Sequence, residues 1–136
     1  MAGVLTTAGK TLIGQVIFQR THVDRDATLK IGLFTNASGL SAASVLGDIT
    51  IPAGTGYAAQ TLTDASWNVT TGVASYAQLT FTGGAGGWTG SVHGYYVYTV
   101  SSGGTARLLF YEIDAAGPYT INENDTYKIT PGVTIS

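Results

Sequence analysis

The sequence predicts an all-β protein, an antiparallel β-sandwich or jelly roll with a short N-terminal helix or arm. Apolar and polar side chains alternate along several segments, which is the period of a strand with one buried face. Short Gly-bearing turns separate these segments, and Gly, Thr and Ser make up 49 of the 136 residues. Because short turns join antiparallel strands, we expect one β-sandwich over residues 27–136, preceded by an arm over residues 1–26.

The arm contains one segment with helical periodicity. Leu12, Ile13, Val16 and Ile17 recur at the spacing of one helical face. Alternation at even positions also fits a strand, and a glycine inside a helix costs about 1 kcal/mol relative to Ala. The helical stripe is the better match, so we expect a helix over residues 8–19. The residues before it are small and uncharged, and we expect them to be mobile in the free protein.

Five segments beyond the arm have the pattern of apolar residues that is typical of β-strands. They are residues 27–35, 73–82, 91–100, 106–113 and 125–135. The first two each alternate as one half-buried strand, whereas the third and fourth are apolar on both faces, as central strands are. Pro131 in the last segment lacks a backbone donor and favours an edge or a bulge. Residues 40–57 have no period, and we expect a long ordered loop with a short strand ending near Thr63.

Composition and charge exclude several classes of partner. Six Lys and Arg residues and a net charge of −2 leave no basic surface to neutralise a nucleic-acid backbone. No segment approaches the ~20 apolar residues needed to cross a bilayer, and the N-terminus lacks the pattern of a secretion signal. The absence of cysteine excludes disulfides and thiolate chemistry. We therefore expect neither nucleic acid nor a membrane as a partner.

Candidate catalytic and metal-binding residues are few, and each has a simpler structural explanation. Glu112 and Asp114 share a strand face, as the carboxylate pair of a glycosidase does, but a solvated pair on a sheet is the more common outcome. His22, Asp24 and Asp26 have the side chains to hold a cation in principle, but a solvated polar link is the preferred interpretation of the HVDRD string, because its two Asp residues flank Arg25. Nothing here has the ligand spacing of a zinc site.

Two loops offer ion ligands but match turns better. Residues 122–125 (NEND) carry oxygen ligands without the order of a calcium loop, which predicts a β-turn. The Gly-rich residues 82–90 join two strands, whereas phosphate loops lead from a strand into a helix, so we expect a β-loop in which Trp88 is pinned. His93 lies among strand residues and is expected to be structural. We therefore predict a non-enzyme with no catalytic residue, no metal site and no cofactor.

The aromatic residues carry the clearest binding signal, although core packing is expected to account for about half of them. Tyr and Trp on a charge-poor surface suit contact with a large partner, either protein or sugar, better than turnover of a small molecule. The predicted interface combines the helical stripe with four aromatic residues: Leu12, Ile13, Val16, Ile17, Trp88, Tyr95, Tyr96 and Tyr98.

A series of short strings follows in order along the chain from Leu29 to the C-terminus. They are LKIGLFTN (29–36), GYAAQTLT (56–63), GYYVYT (94–99), LLFYE (108–112), GPYTI (117–121) and DTYKITPGVTIS (125–136). In this pattern the chain resembles small virion structural proteins of tailed bacteriophages. The strings consist of strand and turn residues and contain no catalytic signature.

The resemblance implies a capsid decoration (cement) protein that stabilises the shell by binding between subunits of the major capsid protein. It also implies a homotrimer on the capsid exterior, in a virion that is assembled in the host bacterial cytoplasm. Three alternatives stay open: a tail or fibre component, a carbohydrate-binding β-sandwich that recognises a receptor, and a small glycosidase that uses Glu112 and Asp114.

Overall fold

A computed structural model describes residues 3–19, 26–100 and 105–135, and these form an all-β, sandwich-like fold with one short helix, as predicted. Two 3₁₀ turns, Leu46–Asp48 and Asp64–Ser66, interrupt the strands. The other elements are β1 (Val4–Leu5), α1 (Thr7–Phe18), β2 (Thr28–Phe34), β3 (Ala53–Gly54), β4 (Gln60–Leu62), β5 (Trp67–Thr70), β6 (Val73–Tyr76), β7 (Leu79–Thr82), β8 (Trp88–Thr89), β9 (Gly94–Val100), β10 (Arg107–Ile113), β11 (Thr126–Ile129) and β12 (Gly132–Thr134).

The largest sheet has five antiparallel strands in the order β1-β10-β9-β2-β4. Strand β9 lies in the middle, and its Val97 is fully buried opposite Ile31 of β2. One face of this sheet packs on the other strands, and the second face is covered by Leu40, Leu46 and Ile49 of the long loop. The prediction that the segments holding β9 and β10 are covered on both faces is therefore confirmed.

The remaining strands form a three-stranded sheet, β12-β6-β5, and two pairs, β11-β7 and β3-β8. Gly3 and Val133 form a parallel bridge. Because Gly3 directly precedes β1, this bridge connects the three-stranded sheet to the β1 edge of the five-stranded sheet. Apolar side chains from both sheets meet between them in one core, which includes Ile31, Phe110 and Val133.

The segment 73–82, predicted as one strand, is two strands that pair in different sheets. In β6 the even-numbered Ala74 and Tyr76 are buried, whereas in β7 the odd-numbered Phe81 is buried. The break at residues 77–78 lets the chain turn its other face to the core. The prediction of a continuous strand was wrong because each half follows the sheet that it joins.

The segment 125–135 is divided in the same way, into β11 and β12. Pro131 lies at the break and is buried, and its carbonyl accepts a 2.8 Å hydrogen bond from the N–H of Tyr76. Because proline has no N–H to continue the ladder, the pairing changes from β7 to β6 at this residue. The predicted irregularity at Pro131 is confirmed, and the single strand is corrected to two.

The N-terminal residues described by the structure are part of the fold, which corrects the expectation that they are mobile. Strand β1 pairs with β10, and the helix predicted over residues 8–19 is confirmed as α1. Buried Thr6 begins the helix, where its hydroxyl accepts the N–H of Gly9 at 2.9 Å and donates to the carbonyl of Leu108 at 2.6 Å. An N-cap of this kind satisfies one of the orphan amides of the first turn.

The loop predictions are confirmed where the structure describes them. The long loop contains only the turn Leu46–Asp48 and the short β3, and β4 ends one residue before Thr63. Trp88 is buried in the Gly-rich loop, where its indole N–H donates to the carbonyl of Thr55 at 3.1 Å. Residues 101–104 (SSGG), one of the Gly-bearing connections between predicted strands, lie outside the described residues.

Candidate interaction surface

The structure buries four of the eight side chains predicted to form an interface. Leu12, Trp88, Tyr95 and Tyr96 are each no more than 7 % exposed and belong to the core of the chain. The surface of the single chain therefore does not present them to a partner, which corrects the expectation that they form a contact face. Tyr98 is half-buried beside Tyr96, with ring centroids 5.4 Å apart in a stacked pair.

Gly32 is the reason that the Tyr96 ring fits inside. The two residues lie opposite each other on β2 and β9, and a Cβ on Gly32 would approach the Tyr96 ring to 2.8 Å. Glycine thus leaves the space that the aromatic ring fills. A glycine within an apolar strand was the sequence signal for this burial.

The remaining three residues of the helical stripe lie in or next to an open groove. Ile13 and Val16 line this helix groove, which has a volume of about 240 Å³. The other described residues that line it are mostly apolar, and Asp64 is the one charged residue among them. Beyond the groove the last turn of α1 presents Ile17 at 61 % exposure. The adjoining Phe18, which is not among the predicted interface residues, is 86 % exposed.

A second apolar hollow, here called the sheet opening, adjoins the helix groove between α1 and the three-stranded sheet. It has a volume of about 150 Å³ and is lined by apolar side chains that include Trp67, Val69 and Ile135. Val69 pairs with buried Ala74 and shares its inward face, yet it is 64 % exposed. The opening is therefore a place where core-facing side chains reach solvent.

Trp67 is unusual within this opening. Its ring packs against Tyr76 in a T-shaped pair with centroids 5.1 Å apart, but its buried indole N–H has no hydrogen-bond partner among the described residues. A buried donor left without an acceptor costs about 1–3 kcal/mol. Val69 and Ile135 are not among the predicted interface residues, although the alternation of Trp67 and Val69 ahead of the Thr71–Gly72 turn is a signal for an edge hairpin.

The carboxylates considered for glycosidase chemistry each bind a tyrosine. The Tyr95 hydroxyl donates to Glu112 Oε2 at 2.6 Å, and the Tyr127 hydroxyl donates to Asp114 Oδ2 at 2.8 Å. The second oxygen of Asp114 accepts the N–H of Ala116 at 3.0 Å in the following turn. These contacts give both carboxylates a structural role.

Burial and these hydrogen bonds keep the two tyrosines protonated. Burial is the larger cause, and donation to Glu112 adds to it, so the pKa of Tyr95 lies above its ordinary value. The same two causes, with Asp114 as acceptor, raise the pKa of Tyr127. Both hydroxyls are therefore fixed donors that join strands, and neither is poised to exchange a proton near neutral pH.

The loops weighed as ion sites are held by their own hydrogen bonds. The carboxylate of Asp125 accepts the backbone and side-chain N–H groups of Asn122, both at 2.9 Å, which confirms a turn at residues 122–125. Within the described part of the chain no three His, Cys, Asp or Glu side chains cluster as metal ligands would. His22 and Asp24 lie outside that part, and His93 is half-buried on the approach to β9.

Comparison of the chain with protein-family models, with curated proteins and with solved structures finds no significant match. Among the described residues, no helix combines the length and apolar character that a membrane span requires. The helix groove, the exposed end of α1 and the sheet opening are thus the features from which a function can be argued.

Proposed function

We propose that this protein is a non-enzymatic structural component of a tailed-phage particle, a decoration protein that stabilises the capsid by binding between major capsid protein subunits. The observation that carries the proposal is the exposed apolar end of α1, where Ile17 and Phe18 project beside the helix groove. The resemblance of the strand and turn strings to phage virion proteins is the reason for naming a phage particle as the location and the major capsid protein as the partner.

The energetics of α1 favour a protein contact at this place. Ile17 and Phe18 are among the large apolar side chains most exposed to water in the described chain. Full burial of one such side chain stabilises by about 1.5–3 kcal/mol. A patch that joins two such residues to an adjacent groove is the pattern of an interaction site, in which a few buried anchors supply most of the affinity.

Low charge suits the same role. The chain has 10 % charged residues, and one charged residue lies among the described residues that line the helix groove. A contact made without charges needs no ion pairs to be desolvated, so apolar burial supplies its stability. In the proposed particle, copies form a homotrimer on the capsid exterior, and the symmetry of the shell repeats one contact many times.

Binding to particles that lack the protein tests the α1 contact. We expect Ile17→Lys to reduce the amount of bound protein at least tenfold, and the matched exposed variant Ile51→Lys to bind as the unmodified chain does. Ile51 is 50 % exposed and lies outside both hollows. Equal binding by the two variants contradicts a role for the end of α1.

Quantitative mass spectrometry of purified particles tests the particle assignment and its main alternative. A decoration protein is expected in hundreds of copies, whereas a few tens or fewer indicate a tail or fibre component. Absence from the particle contradicts both. The carbohydrate-binding alternative depended on Trp88 and on the cluster of Tyr95, Tyr96 and Tyr98. Trp88, Tyr95 and Tyr96 are buried, so half-buried Tyr98 is the one ring of this set that offers a sugar part of its surface.

A further inference from the structure

We propose that strand β5 is a self-pairing edge, which binds β5 of a second copy of this chain antiparallel, about a two-fold axis at Val69. The proposal concerns the free protein in solution, whereas the proposed homotrimer forms on the capsid exterior, so it goes beyond the phage assignment and does not depend on it. It rests on the position of β5 in its sheet, on the direction of the Val69 backbone groups and on the exposed apolar side chains around it.

Strand β5 is the outer strand of the three-stranded sheet, and among the strands that the structure describes it pairs with β6 alone. The two strands are joined by the two-residue turn Thr71–Gly72, which makes Thr70 and Val73 the first pair of the hairpin. In such a hairpin the pairs next to the turn and two residues further on exchange backbone hydrogen bonds. The backbone groups of Thr70 and Asn68 therefore point to β6.

The N–H and C=O of Val69 point the other way, to the open edge, because successive residues of a strand alternate in direction. The contact of Ser75 Oγ with the Asn68 carbonyl, at 3.5 Å, agrees with this assignment. Trp67, two residues earlier, also directs its backbone groups outward, but the Trp67 N–H is already bonded to the carbonyl of Asp64. Val69 is thus the centre of the open edge.

This edge lacks the usual protection against pairing. Edge strands are commonly guarded by a charged side chain, a proline or a bulge. The four residues of β5, WNVT, include no charge and no proline, and three of the four are exposed. The sequence therefore leaves β5 able to accept another strand.

A second copy fits the edge because Val69 can pair with itself. In an antiparallel pair about a two-fold axis, each Val69 donates its N–H to the carbonyl of the other, so both bonds form at one position. The contact is isologous and closes at two copies. The added strand also lies beside the sheet opening, where it reduces the exposure of Val69 and Trp67.

Sedimentation equilibrium from micromolar to millimolar chain concentration tests the pairing. We expect a dimer for the unmodified chain and for Val45→Lys, and a monomer for Val69→Lys, in which like charges meet at the axis. Val45 is a matched control because it is 54 % exposed and lies outside both hollows. A monomeric unmodified chain at millimolar concentration overturns the proposal, as does any oligomer that persists in Val69→Lys or that closes at three copies.

Amide exchange supplies a readout that does not depend on the folding of the lysine variant. We expect the Val69 N–H to exchange slowly at high concentration and at least tenfold faster on dilution, while the Thr70 N–H, bonded to β6, is unaffected. An exchange rate of Val69 that is independent of concentration overturns the pairing. Because these measurements use the free protein and the particle-binding test uses Ile17, the two proposals can fail separately.

Discussion

The hydroxyl of Tyr95 donates a 2.6 Å hydrogen bond to Glu112 and accepts a 3.1 Å bond from the N–H of Gly132. Tyr95 and Glu112 face each other on β9 and β10 of the five-stranded sheet, whereas Gly132 begins β12 of the three-stranded one. One buried hydroxyl therefore ties the two sheets together.

Replacing Tyr95 with Phe is expected to lower the free energy of unfolding by about 1–3 kcal/mol, because the half-buried Glu112 and the N–H of Gly132 both lose a partner. Urea denaturation measures the change. The control is Tyr119→Phe, since the Tyr119 hydroxyl has no hydrogen bond among the described residues, and its effect is expected to be within about 0.5 kcal/mol. Equal losses in the two variants would falsify the linking role of Tyr95.

The raised pKa values of Tyr95 and Tyr127 predict that the fold is less stable at alkaline pH. Burial raises the pKa of Tyr95 and Tyr127 above the ordinary value of 10.0, so the unfolded chain releases these protons at a lower pH than the folded chain does. The stability that this difference supplies is complete below about pH 10 and is lost as the pH rises toward the folded-state pKa values. Hydrogen bonds with Thr63 lower the pKa of Tyr76 and oppose the effect at that one residue.

Unfolding in urea at pH 9 and then at higher pH measures this loss. While a tyrosine ionises only in the unfolded chain, the slope is about 1.4 kcal/mol per pH unit for that residue. Tyr95→Phe removes one such group, so its decline is expected to be shallower than that of the unmodified chain. Stability that is constant or rises above pH 10 contradicts the assignment of buried, protonated hydroxyls.

Local periodicity was sufficient to predict that β2, β9, β10 and α1 exist, because each lies within one periodic segment. It did not predict the bulge of β10 between Leu108 and Phe110, which places these two side chains in different core clusters. It failed at β6 and β7, where the buried positions change from even to odd numbers. That change depends on which sheet each half joins, and the residues of one segment alone do not determine which sheet it joins.

Half of the side chains predicted to form the interface are buried in the core for a related reason. Tyr96 could be placed inside only by knowing that Gly32 lies opposite it, a register between strands far apart in the chain. Val69 shows the reverse case, since it is inward-facing by register but exposed by its place at the end of the sheet. Exposure at the candidate surface thus depends on sheet order, which the sequence pattern does not contain.

Two glycines of α1 supply a matched pair of substitutions with opposite expected signs. A Cβ on Gly9 would collide with the backbone carbonyl of Leu109 on β10, whereas a Cβ on Gly14 would meet nothing within 4 Å. Gly9→Ala must therefore push the helix away from the sheet and is expected to lower the free energy of unfolding by about 1–3 kcal/mol.

Gly14→Ala is expected to raise the free energy of unfolding by about 0.5–1 kcal/mol, because alanine loses less backbone entropy in a helix interior and this site has room for it. Thermal unfolding of the two variants side by side measures both effects. Stabilisation by Gly9→Ala would show that α1 does not pack against β10 as closely as the structure requires. In that event the helix groove, whose walls include Leu109, would lose its defined shape.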